Sequence, residues 1–274
     1  MNIQNLTMSF GLQTIYDNVS FQINENDKVG IVGVNGAGKS TLFNLILGKL
    51  NPDEGKIIIK NNINIGYLPQ VITDEIPNDD ITVFDYLLLG RPIEELKNKL
   101  TNLYEKIATI EDQKELNHYL KEITKVEDKL TYYDEYNAES NLLKIITGMN
   151  IDDKLLDLKL KNISGGQKSK IAFARLLYSK PEIMLLDEPT NHLDIDTKDY
   201  IISYLKKYHG MILVISHDIE FLNEVTTKTL YVDKIMHNVE IYNGNYQKYL
   251  KIKEERDLAK KRLFEKQQKE EEKL

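Results

Sequence analysis

Apolar residues recur along this chain with more than one period, and the changes of period divide it. The run Val29-Gly30-Ile31-Val32 is short, continuous and β-branched, which predicts a strand buried on both faces. Glycines follow at once, and a helical pattern then runs from Ser40 to about Leu50. Positions 56–60 and 63–67 read as two more strands separated by an Asn-Asn turn. Between 94 and 133 the period becomes helical. Leu96, Leu100, Leu103, Ile107 and Ile110 recur at spacings of four and three, and Leu120, Ile123, Val126 and Leu130 repeat the stripe after a polar break at 112–115. Two antiparallel helices joined by a short loop are expected there, the stripe serving as packing. Strand character returns at 183–186, 211–215 and 229–232, and helical intervals between the first two predict a parallel α/β sheet. From about residue 245 the chain is almost all charge. That predicts a helix able to bury little by itself. It stops at Leu274 without a cap, Gly or Pro, which reads as a chain cut within a longer one.

Composition narrows the function classes. With 29% charged and 41% apolar residues, the 274-residue chain has the balance of a soluble globular protein of one or two domains. The net charge of −7 argues against a grip on bare nucleic acid through the whole surface, while leaving local basic patches open. Without cysteine there is no disulfide or thiolate-metal site, which fits a reducing compartment. The N-terminus lacks the basic and apolar blocks of a signal peptide, and no window reaches the roughly 20 apolar residues of a membrane helix. A cytoplasmic protein is expected.

The candidate chemistry sits at the strand ends. Residues 33–41, Gly-Val-Asn-Gly-Ala-Gly-Lys-Ser-Thr, form a complete G-x-x-x-x-G-K-[ST] phosphate loop. Its glycines let backbone N–H groups turn toward phosphate oxygens, and the following helix directs its positive end at the same anion. Lys39 would reach the β- and γ-phosphates, and Ser40 would offer its hydroxyl oxygen to Mg²⁺. Asp187 ends an apolar strand at the edge where such sheets bind ligands, and is the natural second partner of that ion. Glu188 beside it could polarise a water for attack. Gln70 ends the run Ile65-Gly66-Tyr67-Leu68-Pro69 and could ligate the metal or orient water. His217 follows the strand 212–215, where an imidazole could touch the γ-phosphate. His118, His209 and His237 lack such a setting.

These pieces, in this order, resemble the nucleotide-binding domain of the ATP-binding-cassette (ABC) superfamily over residues 1–245. The resemblance implies a P-loop NTPase α/β core with an antiparallel β subdomain and a helical subdomain inserted at about 75–165. It implies ATP contacts from Gly33, Asn35, Gly36, Ala37, Gly38, Lys39, Ser40 and Thr41, with Phe10 stacking on adenine. Mg²⁺ would be held by Ser40, Gln70 and Asp187, and catalysis would fall to Glu188, His217 and Gln70. Ser164, Gly165, Gly166 and Gln167 match the signature turn, in which Ile163 stands where Leu usually opens the motif. Asn191, His192, Leu193 and Asp194 match the D-loop. In this family ATP lies between the phosphate loop of one cassette and the signature of another, so Ser164 and Gly166 would serve a partner's nucleotide. The partner is a second cassette, either in the same full-length chain or by self-pairing.

The run Pro-Thr-Asn-His-Leu-Asp at 189–194 looks like the ABC-F branch, whose members carry two cassettes in one chain and no membrane domain. Transporter cassettes more often have Ser-Ala-Leu-Asp there. Tyr242-Asn243-Gly244-Asn245-Tyr246, followed by charged helix, resembles that branch's exit into a linker, here 246–274, that reaches toward transfer RNA on the ribosome. The leading expectation is a ribosome-acting ATPase, in translation or antibiotic resistance. The ATPase subunit of a membrane transporter is the alternative. A DNA-repair or chromosome ATPase would need a very long coiled-coil insertion that this chain lacks.

Overall fold

A computed structural model describes residues 1–70, 80–191 and 193–271, with the backbone alone at 260, 261 and 263–271. Two compact units emerge, one comprising Met1–Gln70, Pro181–His192 and Ile201–Leu274, the other Val71–Lys180 and Leu193–Tyr200.

The first unit is built on strands apolar enough to be covered on both faces. β3 (Lys28–Val32), β6 (Ile183–Asp187) and β7 (Met211–Ile215) are buried almost throughout. With β5 (Ile65–Leu68), β8 (Lys228–Asp233) and β9 (Asn238–Asn243) they form a six-stranded sheet in the order β5-β6-β7-β3-β8-β9. All neighbours are parallel except the β8–β9 hairpin. A second, antiparallel sheet has the order β2-β1-β4, from β1 (Asn2–Phe10), β2 (Gln13–Gln22) and β4 (Glu54–Ile58). One core cluster joins both sheets through helix α1 (Lys39–Ile46). It runs from Ile3, Leu6 and Val19 across Leu42 and Phe43 to Ile31, Leu185 and Leu213. This mixed α/β architecture, a parallel core with an antiparallel β layer, is the fold class expected from the sequence. The two strands expected either side of the Asn-Asn turn belong to different sheets, because Asn62 takes a left-handed φ of 63° and the chain leaves the small sheet there.

The second unit is helical. α2 (Val83–Leu88) starts at Thr82, whose hydroxyl accepts the Asp85 N–H at 3.1 Å. α3 (Ile93–Ile107) and α4 (Gln113–Tyr132) pair through Leu96, Leu103, Ile123, Val126 and Leu130. Ile110 falls past the end of α3, and Leu120 is 43% exposed, so both leave the expected stripe. The polar break is a cap: the Asp112 carboxylate accepts N–H groups of Lys114 and Glu115 at 3.0 and 2.8 Å. α5 (Ala138–Gly148) and α6 (Gly165–Ser179) complete the unit. Contacts of α6 with α2 and α5 carry the unit past the expected limit near 165 and through the signature helix.

Beyond α7 (Ile195–Lys207) and α8 (Ile219–Val225), helix α9 (Tyr246–Glu271) buries more at its root than its charge predicts. Tyr249 is 3% exposed, stacked 5.7 Å from Tyr231 on β8 and edge-on 5.0 Å from Tyr242 on β9. The Lys253 ammonium lies 4.0 Å over the Tyr231 ring, and Arg256 donates to Glu240 and to the Tyr242 hydroxyl, each at 2.7 Å. Burial, reinforced by Glu240, pushes the Tyr242 phenol up to about 12. Tyr249→Ala should therefore destabilise the chain by about 3 kcal/mol in urea unfolding. Leu258→Ala, on the same helix but 56% exposed, should stay within ~0.5 kcal/mol.

Candidate functional site

The site begins where β3 turns into α1. At Gly33 an added Cβ would lie 2.6 Å from the Val232 carbonyl oxygen of β8. At Gly38, which precedes α1 with φ 109°, it would lie 2.4 Å from Ile15 Cγ2 of β2. The loop backbone is thus pressed between two strands at points only glycine allows. The Lys39 ammonium donates to the Gly33 and Val34 carbonyls at 2.8 and 3.2 Å. Partial burial pulls its pKa below the ordinary lysine value, opposed by the charges of Glu188 and Asp187.

Asp187, at the carboxyl end of β6, is 6% exposed and accepts the Ser40 hydroxyl at 3.3 Å. Burial pushes its carboxyl above the usual carboxylate range, with the Ser40 hydrogen bond working the other way. The next residue, Glu188, adopts a left-handed φ of 52°, a conformation that costs a non-glycine residue energy and that here turns the chain at the strand end. Its N–H continues the β6–β7 ladder onto the Ile215 carbonyl at 2.8 Å. Its carboxylate, 8% exposed, accepts the His217 N–H at 3.2 Å and lies 3.6 Å from His217 Nε2.

Asn35, Gly36, Gly38, Lys39, Ser40, Thr41, Gln70, Asp187, Glu188, Ile215 and His217 line one cavity of about 410 Å³, wholly within the first unit. The structure thus brings together most of the residues that the sequence nominated for nucleotide, metal and catalysis. Of the others, Gly33 offers a carbonyl to Lys39 beneath the loop. Ala37 is buried in the core, its N–H donating to Val34 O at 3.1 Å. Phe10 is 48% exposed at the end of β1 and is not among the lining residues. Ile215 was not nominated, although any strand end beside Asp187 meets this edge. Tyr16 was also missed: its hydroxyl donates to the Gly38 carbonyl at 2.8 Å. No motif marks it, because β2 reaches the loop only through the fold.

The signature residues lie in the second unit. The Ser164 hydroxyl accepts the Gln167 N–H at 3.3 Å and the Gln167 side chain accepts the Ser164 N–H at 2.8 Å, a capping box that starts α6. Among the described residues, a Cβ on Gly165 or Gly166 would meet nothing within 4 Å. Of the D-loop, Asn191 donates its N–H to Glu188 O at 3.3 Å, and His192 lies outside the described residues. Leu193 is half-buried. Asp194 begins α7 (Ile195–Lys207), accepting the Thr197 N–H and hydroxyl, each at 2.9 Å, and Lys170 at 3.1 Å. Those hydrogen bonds hold its carboxyl down to about 2.

The oxygen donors suit Mg²⁺ carried by a nucleotide. Among the described residues no three His, Asp or Glu side chains gather in a cluster that could hold a metal. Ser40, Asp187 and Gln70 offer a hydroxyl, one carboxylate and an amide, the sparse set with which Mg²⁺ binds when phosphates supply further oxygens.

Residues 16–191 match the family model described as ABC transporter. The chain belongs to the ABC transporter family. It is an ATP-binding cassette of the kind that serves as an ATPase. The ABC transporter ATP-binding protein YfmM of Bacillus subtilis is 36% identical over 98% of this chain, which spans 51% of that protein. ABC transporter F family member 2 of Arabidopsis thaliana is 30% identical over 98% of this chain and 40% of its own length. The chain therefore spans about half or less of these relatives. In fold it is similar to an ATP-binding cassette solved as a dimer in a post-hydrolysis state with ADP and phosphate. There the TM-score is 0.58 at 23% identity, covering 88% of this chain and 97% of the other. Among the described residues no helix is long and apolar enough to cross a membrane.

The raised Asp187 pKa makes a signed prediction. A carboxyl whose folded pKa lies above its unfolded value contributes no penalty while protonated in both states. It destabilises the fold progressively as pH rises through the two values. Asp187→Asn keeps an oxygen for Ser40 and removes the charge. It should raise the thermal midpoint near neutral pH, the gain vanishing below the ordinary value of 3.8.

Proposed function

We propose that this cassette is one half of a two-cassette, Mg²⁺-dependent ATPase of the ABC-F branch, acting on the ribosome. The catalytic part rests on one observation. A loop cation, the Ser40–Asp187 pair and the nearly buried Glu188 line the same cavity.

In this reading Lys39 and the N–H groups at the start of α1 bind the β- and γ-phosphates. Ser40, Asp187 and Gln70 would hold Mg²⁺, which when bound neutralises charge developing on the phosphates. Glu188 accepts the proton of the attacking water, and its sharp turn aims the carboxylate into the cavity beside His217. His217, whose Nε2 lies 3.6 Å from that carboxylate, would orient it and touch the γ-phosphate. Phe10 would stack on adenine.

The second cassette is supported by Gly165 and Gly166. Glycine is a poorer helix former than alanine, and no neighbour among the described residues requires either one. Close approach of another molecule's nucleotide accounts for both, and a similar cassette was solved as a dimer. The F branch is supported by the 189–194 sequence, the relative named as an F family member, and the charged helix α9 after β9, read as the start of a linker. Translation control and antibiotic resistance are the roles that branch offers, with transfer RNA met through the linker.

The full-length protein tests each level. Lys39→Ala should lose ATP binding, read by calorimetry. Glu188→Gln should keep ATP binding while hydrolysis falls about 10²- to 10⁴-fold. Gly166→Ala should leave the cassette's unfolding midpoint unchanged or higher while hydrolysis collapses; normal turnover would remove the signature from a partner's site. Ribosome co-sedimentation should rise with Glu188→Gln in ATP, and its absence in that state would refute the ribosomal role.

A further inference from the structure

The phosphate loop is braced from beneath by a side chain outside every motif. Tyr16 on β2 is fully buried, and its hydroxyl donates to the Gly38 carbonyl at 2.8 Å. The same oxygen accepts the Leu42 N–H at 3.0 Å, the first hydrogen bond of α1. A Cβ on Gly38 would lie 3.2 Å from the Tyr16 hydroxyl and 2.4 Å from Ile15 Cγ2, so β2 and the loop fit without slack. The Gly38 carbonyl and the Lys39 N–H belong to one planar peptide unit. Donors on that oxygen draw electron density toward it and leave the N–H more positive, as hydrogen bonds in a chain strengthen one another. That N–H stands at the start of α1, where backbone donors meet an anion.

We propose that Tyr16 is a positioning residue for the nucleotide, holding the left-handed turn at Gly38 and sharpening the Lys39 N–H as a phosphate donor through their shared peptide. The proposal rests on the nucleotide-binding reading of the cavity and extends it to the loop's far side. Burial keeps the phenol well above the usual tyrosine range, so the hydroxyl remains a donor at every pH the protein would meet. The alternative is that the hydroxyl merely satisfies a buried carbonyl. Leu42 already does that, so removing the hydroxyl orphans no acceptor on the loop.

Tyr16→Phe is the deciding variant, since it keeps the ring. It should fold, with a melting midpoint in the absence of nucleotide close to that of the parent chain. Its dissociation constants for ATP and ADP, by equilibrium calorimetry, should rise about threefold to tenfold. The ratio should be constant from about pH 6 to about pH 9, because the phenol does not titrate there. Installing 3-fluorotyrosine at position 16 alone, a stronger donor of nearly the same shape, should tighten binding beyond that of the parent, which a purely structural role would not do. Lys39→Ala is measured alongside. If the parent chain binds ATP, Lys39→Ala does not, and Tyr16→Phe matches the parent, the role of Tyr16 is refuted while the nucleotide site stands. If the parent chain itself fails to bind ATP, the site reading falls and takes the proposal with it.

Discussion

The backbone between Gly33 and Gly38 passes where no side-chain carbon fits, and the first unit is arranged around that constraint. Val232 closes against one end of the loop and Ile15 and Tyr16 against the other, so strands from both sheets meet a single turn of chain. The same core cluster places Phe43 of α1 between the two layers. The helix that begins at the loop is therefore fixed in direction by packing at its buried face. What reaches the cavity from the other side is equally constrained. β6 and β7 are paired in register to Asp187↔Ile215, which brings the acid, the turn at Glu188 and the chain to His217 to one sheet edge.

This division explains what could be read from the chain before its fold was known. The buried strands were legible because β3, β6 and β7 are covered on both faces and need unbroken apolar runs. The phosphate loop and the Asp187-Glu188 pair were legible because their chemistry is local in sequence. β1 and β2 were not. Asn5 and Asn18 both take left-handed conformations, with the Asn5 amide donating to the Asn18 side chain at 2.9 Å, and the register shifts around them interrupt the alternation that marks a strand. Tyr16 was invisible for a different reason. Its hydrogen bond joins residues 22 apart in sequence, and nothing in the local pattern separates it from an ordinary core aromatic.

The signature turn shows how much a single chain can explain of its own sequence. Ser164 and Gln167 answer to an internal need, the unpaired N–H groups at the start of α6. Gly165 and Gly166 sit between them, with open space at the Cβ position among the described residues and the lowest helix propensity short of proline. Two of the four residues thus stabilise this fold, and two are written against its helix propensity.

Neighbouring residues of β8 face different duties. The Val232 carbonyl abuts Gly33, while the ring of Tyr231 is stacked on Tyr249 at the root of α9. A helix of 26 residues is about 39 Å long, so a tilt of ~5° at its root would carry its far end through about 3 Å. The strand that seats the phosphate loop thereby also carries the root of a long helix, so one short stretch of β8 sets the position of both.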